Sequence, residues 1–194
     1  MSLKERMYSV LLVSSNEKLN AALLSMLPES RYSPVQIVSD ISAAKRLWSE
    51  RSFDFVIINS PLPDGDGSRF AIDIASSSGA SVLLLIRTEQ LEDVREKVIE
   101  HGVFVMARPL NRILLSLGFD WMASARERQK KSEKKTLSIE EKMEEIRLVN
   151  RAKWLLISKM EMEESQAHRY IEKQAMNRCI SRKEIATEII QTYS

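Results

Sequence analysis

The chain has 194 residues, 44% of them hydrophobic, with only 5 Gly and 5 Pro. That composition supports one large packed domain or two smaller ones and excludes a fibrous or loop-dominated protein. A formal net charge of +2 is too small to announce a polyanionic partner, and a single Cys excludes an intramolecular disulfide framework and fits a reducing compartment. The charge is unevenly spread: residues 1–118 hold 13 Lys/Arg against 14 Asp/Glu, and residues 119–194 hold 16 against 13. No signal-peptide pattern opens the sequence, and no apolar run approaches the roughly 18–20 residues of a membrane span. A cytoplasmic protein with no membrane partner is expected. Met1-Ser2-Leu3 is given no structural weight.

Through residue 118, short apolar runs alternate with amphipathic stretches. The runs fall at 8–13, 35–38, 53–58, 81–86 and 103–107 and are rich in Val, Ile and Leu, as buried parallel strands are. Helical patterns occupy 17–27, 41–50, 68–76 and 89–100, and Gly102 is a stop signal for the last. Five strands alternating with helices predict an α/β fold with a doubly wound, five-stranded parallel sheet. Its functional site should lie at the C-terminal strand ends.

Beyond Pro109 the strand signals end. Leu114, Leu117 and Trp121 keep helical spacing, and charge then rises: residues 126–135 carry six basic and two acidic side chains, read as the solvated face of a helical connector over 119–137. Ser138-Ile139-Glu140-Glu141 has capping-box spacing, which fits either a break and restart there or one continuous helix. Ile139, Met143, Ile146 and Asn150 then repeat at 4–3–4, which fits either a short coiled coil or packing within one domain. The remainder reads as an all-α module of three helices at 139–160, 164–178 and 182–192, the third opened by the capping box Ser181-Arg182-Lys183-Glu184.

Two anchors stand out in the first half: Phe55-Val56-Ile57-Ile58-Asn59-Ser60-Pro61-Leu62-Pro63-Asp64-Gly65-Asp66-Gly67, and Arg108-Pro109 after the fifth strand. With the element order, they make residues 7–118 resemble the receiver domain of two-component response regulators, a flavodoxin-like fold. The resemblance implies a phosphoacceptor Asp ending the third strand, two Mg²⁺-binding acids after the first, a hydroxyl after the fourth and a Lys after the fifth. Here the corresponding positions are Asn59, the neutral pair Ser14 and Ser15, Ile86 (with Thr88 nearby) and Arg108. An amide cannot form the acyl phosphate, and without paired carboxylates nothing offsets the charge of a transferring phosphoryl group. A pseudo-receiver at 1–118, with no cofactor and no metal, is expected. Asp64 and Asp66 are read as turn and cap residues, and Ser14 and Ser15 as loop-to-helix capping.

The second half carries Asn150-Arg151-Ala152-Lys153-Trp154-Leu155-Leu156, then Glu164-Ser165-Gln166-Ala167-His168-Arg169-Tyr170-Ile171-Glu172-Lys173-Gln174-Ala175-Met176, then Ser181-Arg182-Lys183-Glu184-Ile185-Ala186. These blocks, in order, make residues 138–194 resemble the ANTAR domain, the output module of bacterial transcription antiterminators. The departures are Trp154, where a small residue is common, and Glu163, where a Ser/Thr cap is common. The resemblance implies binding of paired hairpin loops in nascent RNA by a homodimer, without enzymatic activity. Cations meeting phosphates and an aromatic beneath a loop base suit that task. The candidate RNA-binding residues are Arg151, Lys153, Arg169, Tyr170, Lys173, Arg178, Arg182 and Lys183. Tyr170 reads equally as a core-edge aromatic. Ala152, Leu155, Leu156, Ala167, Ile171, Ala175, Ile185 and Ile189 should form the core. Control by a regulatory protein partner on the pseudo-receiver, or by dimerisation, is expected. A protein-interaction adaptor or signalling response regulator without RNA binding is the alternative.

Overall fold

A computed structural model describes residues 6–193, so Met1-Ser2-Leu3 lie outside the described residues. The chain divides into two compact units, Met1–Lys130 and Lys131–Ser194.

The first unit is built on strands β1 (Tyr8–Val13), β2 (Tyr32–Val38), β3 (Phe55–Asn59), β4 (Ser81–Arg87) and β5 (Phe104–Arg108). They form one sheet in the order β2-β1-β3-β4-β5, and every pair is parallel. Successive strand side chains point to opposite faces, and this sheet is covered on both. Leu11, Val13, Val56, Ile58, Val82, Leu84 and Ile86 enter one core. Their alternates Val10, Leu12, Phe55, Ile57, Leu83 and Leu85 enter the other. That is why the central strands read as unbroken apolar runs rather than alternating ones.

Helices α2 (Ile41–Glu50), α3 (Ser68–Ser77) and α4 (Leu91–Val98) close the first core through Ala44, Phe70, Ile74 and Val98. Helix α1 (Glu17–Leu24) and the start of α5 (Arg112–Met160) close the second through Leu23, Leu115, Phe119 and Met122. Short 3-10 turns at Thr88–Gln90 and Ile99–His101 flank α4, and Gly102 ends the second with φ of 76°. The turn into α3 needs Gly67: its φ is 75°, and a Cβ there would sit 2.7 Å from Cγ2 of Ile58.

Helix α5 decides between the two alternatives at Ser138 and shifts the boundary of the expected connector. It runs without a break through Ser138, for 49 residues. The segment after Gly118 contains no Gly or Pro and is rich in Lys, Glu, Arg and Ala, so helix propensity is satisfied throughout and capping-box spacing alone does not end it. In addition, Phe119, Met122 and Ala123 are buried under the sheet, so the stretch expected as connector over 119–137 belongs to the first unit as far as Lys130.

The second unit holds the last turns of α5 with α6 (Glu164–Arg178) and α7 (Arg182–Tyr193). All eight expected core residues are buried, with Ala186 beside them. Glu163 caps α6 through a reciprocal box with Gln166. Ser181 and Glu184 do the same for α7: the amide of Glu184 donates to Oγ of Ser181 at 3.2 Å, and the amide of Ser181 donates to the Glu184 carboxylate at 2.8 Å. Among the described residues, no helix is long and apolar enough to cross a membrane.

Candidate nucleic-acid interface

The C-terminal strand ends bring together Ser14, Asn59 and Arg108, three of the residues expected at a degenerate acceptor site, around the point where strand order reverses beside β1 and β3. Asn59 ends β3 at 3% exposure, and its Nδ2 donates to Oγ of the buried Ser14 at 3.1 Å. The same Ser14 oxygen accepts from the amide of Asn16 at 3.2 Å, while Asn16 itself caps α1. Ser15 is exposed and Ile86 lies in the core. The Arg108 guanidinium donates to the backbone oxygen of Ser60, and Thr88 Oγ1 donates to that of Arg108 at 2.7 Å. Arg108 therefore reaches across the strand ends to backbone.

The two remaining acids are committed to helix starts. Asp64 accepts from the amides of Ile41 and Ser42, both at 2.9 Å, at the N-terminus of α2. The hydrogen bond from Ile41 is the chief cause that holds its carboxyl below the ordinary Asp value. Asp66 accepts from the amide of Ser68 at 3.0 Å, at the entry to α3. No grouping of three or more His, Cys, Asp or Glu suited to a metal occurs among the described residues.

In the second unit the eight candidate contacts separate into two kinds. Arg169 and Lys173, one helical turn apart on α6, are exposed, as is Arg151 on α5, and none has an ion-pair partner among the described residues. Tyr170 sits beside Arg169 at 37% exposure, so its ring is not core. The other four cations are answered by carboxylates. Lys153 meets Glu164 at 3.1 Å, Arg178 takes Glu188 in a two-pronged pair, and Arg182 meets Glu145 at 3.1 Å. Lys183 meets Glu144 at 2.6 Å, and that hydrogen bond raises its pKa. Sequence spacing did not foretell these pairs, because Glu144 and Glu145 lie 39 and 37 positions from their partners. Between α5, α6 and α7 a cleft of about 430 Å³ is lined by Asn150, Lys153, His168 and Arg182.

The basic run at 126–135 also departs from a plain solvated face. Arg126 and Lys130 each reach the Asp54 carboxylate at 2.9 Å. Burial pushes the Asp54 carboxyl up, but hydrogen bonds from Lys130 and Arg126 outweigh it and the net shift is downward.

The first unit has the fold of a receiver. The signal receiver domain of an HD domain-containing protein from Pseudomonas fluorescens Pf-5 superposes with a TM-score of 0.56 at 24% identity, over 69% of this chain and 96% of that one. A response regulator receiver domain from Clostridium thermocellum gives 0.53 at 18% identity, over 63% and 96%. At these identities the likeness speaks for the fold alone.

Residues 138–190 match the ANTAR domain model, so an ANTAR module follows the receiver fold in this chain. The chain is 28% identical to the transcriptional regulatory protein PdtaR of Mycobacterium tuberculosis, in both the CDC 1551 / Oshkosh and H37Rv strains. Each alignment covers 94% of this chain and 89% of the relative.

Proposed function

We propose that this protein is a non-enzymatic, cytoplasmic antitermination regulator that binds hairpin loops of nascent RNA as a homodimer. Its receiver is not controlled by aspartate phosphorylation. In functional terms, the first unit through Lys130 is the pseudo-receiver, 138–194 the RNA-binding module and 131–137 the link.

The observation that carries the RNA reading is that Arg151 on α5 and Arg169 and Lys173 on α6 are exposed and unpaired, with Tyr170 half-exposed on α6, in the three-helix unit that matches the ANTAR domain. Unpaired cations are free to meet phosphates, and a half-exposed ring offers a face to an unstacked base. The paired cations Lys153, Arg178, Arg182 and Lys183 must first give up a carboxylate, which makes them the secondary contacts. Dimerisation is supported by the exposed stripe Ile139, Met143 and Ile146 on α5, apolar surface that a second copy would cover. The silent receiver is supported by Asn59 bound to Ser14 where an acyl phosphate and its metal would be required. Control therefore passes to a regulatory protein on the pseudo-receiver or to dimerisation itself.

One observation favours the second reading, an adaptor or signalling regulator that does not bind RNA: half of the candidate contacts already hold carboxylates. Titration of the full-length protein into a double-hairpin leader RNA at several salt concentrations decides between them. An antiterminator binds tightly at low salt and weakens steeply as salt rises. Absence of binding at low ionic strength removes the RNA reading and leaves the adaptor.

A further inference from the structure

At the N-terminal end of the sheet, opposite Asn59 and Arg108, a cleft of about 620 Å³ opens beside the edge strand β5. Three cationic or protonatable side chains from three elements surround it: Arg95 on α4, His101 in the turn after α4, and Arg128 on α5. All three are exposed, and none meets a carboxylate among the described residues. None of the residues lining the cleft carries a carboxylate either. The contrast with the neighbouring cations is direct: Arg126 and Lys130, on the same helix as Arg128, share the Asp54 carboxylate. Gathering positive groups around one hollow without acids is unfavourable in the empty state and favourable once an anion enters.

Ile99, Phe104 and Ala125 give the wall an apolar part, and Ser78, Ser81 and Gln129 add neutral polar groups. Nδ1 of His101 lies 3.3 Å from Oγ of Ser76, which leaves Nε2 as the ring nitrogen open to a ligand. Guanidinium forks match phosphate oxygens in pairs, and the volume falls within the range of small-ligand sites.

We infer that this cleft binds a small organic phosphate of nucleotide size. Arg95 and Arg128 hold the phosphate, and the ring system lies against Ile99 and Phe104. Occupancy would tie the Ala125–Arg128 turn of α5 to the edge of the sheet, supplying the receiver with an input that needs no acceptor aspartate. The inference does not depend on the RNA reading, since the cleft lies wholly within the first unit.

Calorimetric titration of the full-length protein with ATP, with adenosine and inorganic phosphate as comparators, tests it. The expected result is saturable binding of one ATP per chain, weakened about tenfold or more by Arg95→Gln and by Arg128→Gln. The pair Arg169→Gln with Lys173→Gln should leave it unchanged, because those cations lie in the second unit. Both cleft arginines are exposed, so their replacement leaves the core intact, which circular dichroism verifies. The inference is overturned if ATP gives no saturable heat, if adenosine binds as well as ATP, or if both arginine variants keep the wild-type affinity. It is equally overturned if the Arg169/Lys173 pair abolishes binding, for the ligand then sits on the helical module.

Discussion

Replacing Arg169 and Lys173 together with glutamine removes two exposed cations that no carboxylate answers among the described residues. If each meets one loop phosphate, each contributes about −0.7 to the slope of log affinity against log salt, the value for single strands. Their loss should flatten that slope by about 1.4, which at 0.1 M salt amounts to roughly 25-fold in affinity and fades toward nothing near 1 M. The companion variant, Arg182→Gln with Lys183→Gln, removes the same formal charge from residues paired with Glu145 and Glu144. If those pairs persist in the complex, it should change the slope by well under half as much. Filter binding of both variants and the wild type to a double-hairpin RNA, at four or more salt concentrations, measures the slopes directly. An unchanged slope for the Arg169/Lys173 variant would refute the assignment of those cations to phosphate. Equal flattening by both variants would refute the distinction between free and paired cations.

Three further outcomes are expected. Ile171→Ala, at a position 1% exposed in the small core of the second unit, should cost about 2–4 kcal/mol in denaturant unfolding followed at that unit; a loss below about 1 kcal/mol contradicts the packing. Asp64 has a depressed carboxyl pKa in the fold, so its stabilising contribution is present above its unfolded value of about 3.9 and is lost as pH falls through the lower folded value. Asp64→Asn should accordingly flatten the acid limb of the stability profile below about pH 4, and an unaltered limb speaks against the cap. Asn59→Asp should still take up no acid-labile phosphate from a small phosphodonor with Mg²⁺, because Ser14 and Ser15 supply no carboxylate for the metal; labelling of that variant would show that a metal site survives without them.

The sheet was legible because its signals are local. The strands at 8–13 and 81–86 and the helix at 41–50 coincide with β1, β4 and α2 to within a residue. The second strand starts earlier than its apolar run, at Tyr32, because Ser33 and Pro34 interrupt the run but are tolerated on an edge strand. The three-helix module was equally plain: its core spacing, the Glu163 cap position and the Ser181 box all concern residues within a turn or two of one another. The electrostatics were not. Asp54 finds Arg126 across 72 positions and Lys183 finds Glu144 across 39, and no periodicity encodes which charges meet once the helices pack. The continuity of α5 was not decided by the sequence for a related reason: a capping box is a permissive signal, and only a competing backbone conformation makes it a stop.

Cys179, the one cysteine in the sequence, stands exposed at the corner between α6 and α7 with φ of 52°. It lies between Arg178 and Arg182, two of the candidate contacts. The native chain therefore accepts a thiol-reactive fluorophore or spin label at one defined place, with no engineered residue and nothing else to mask. Binding of a transcript to this corner can be followed on the wild-type protein.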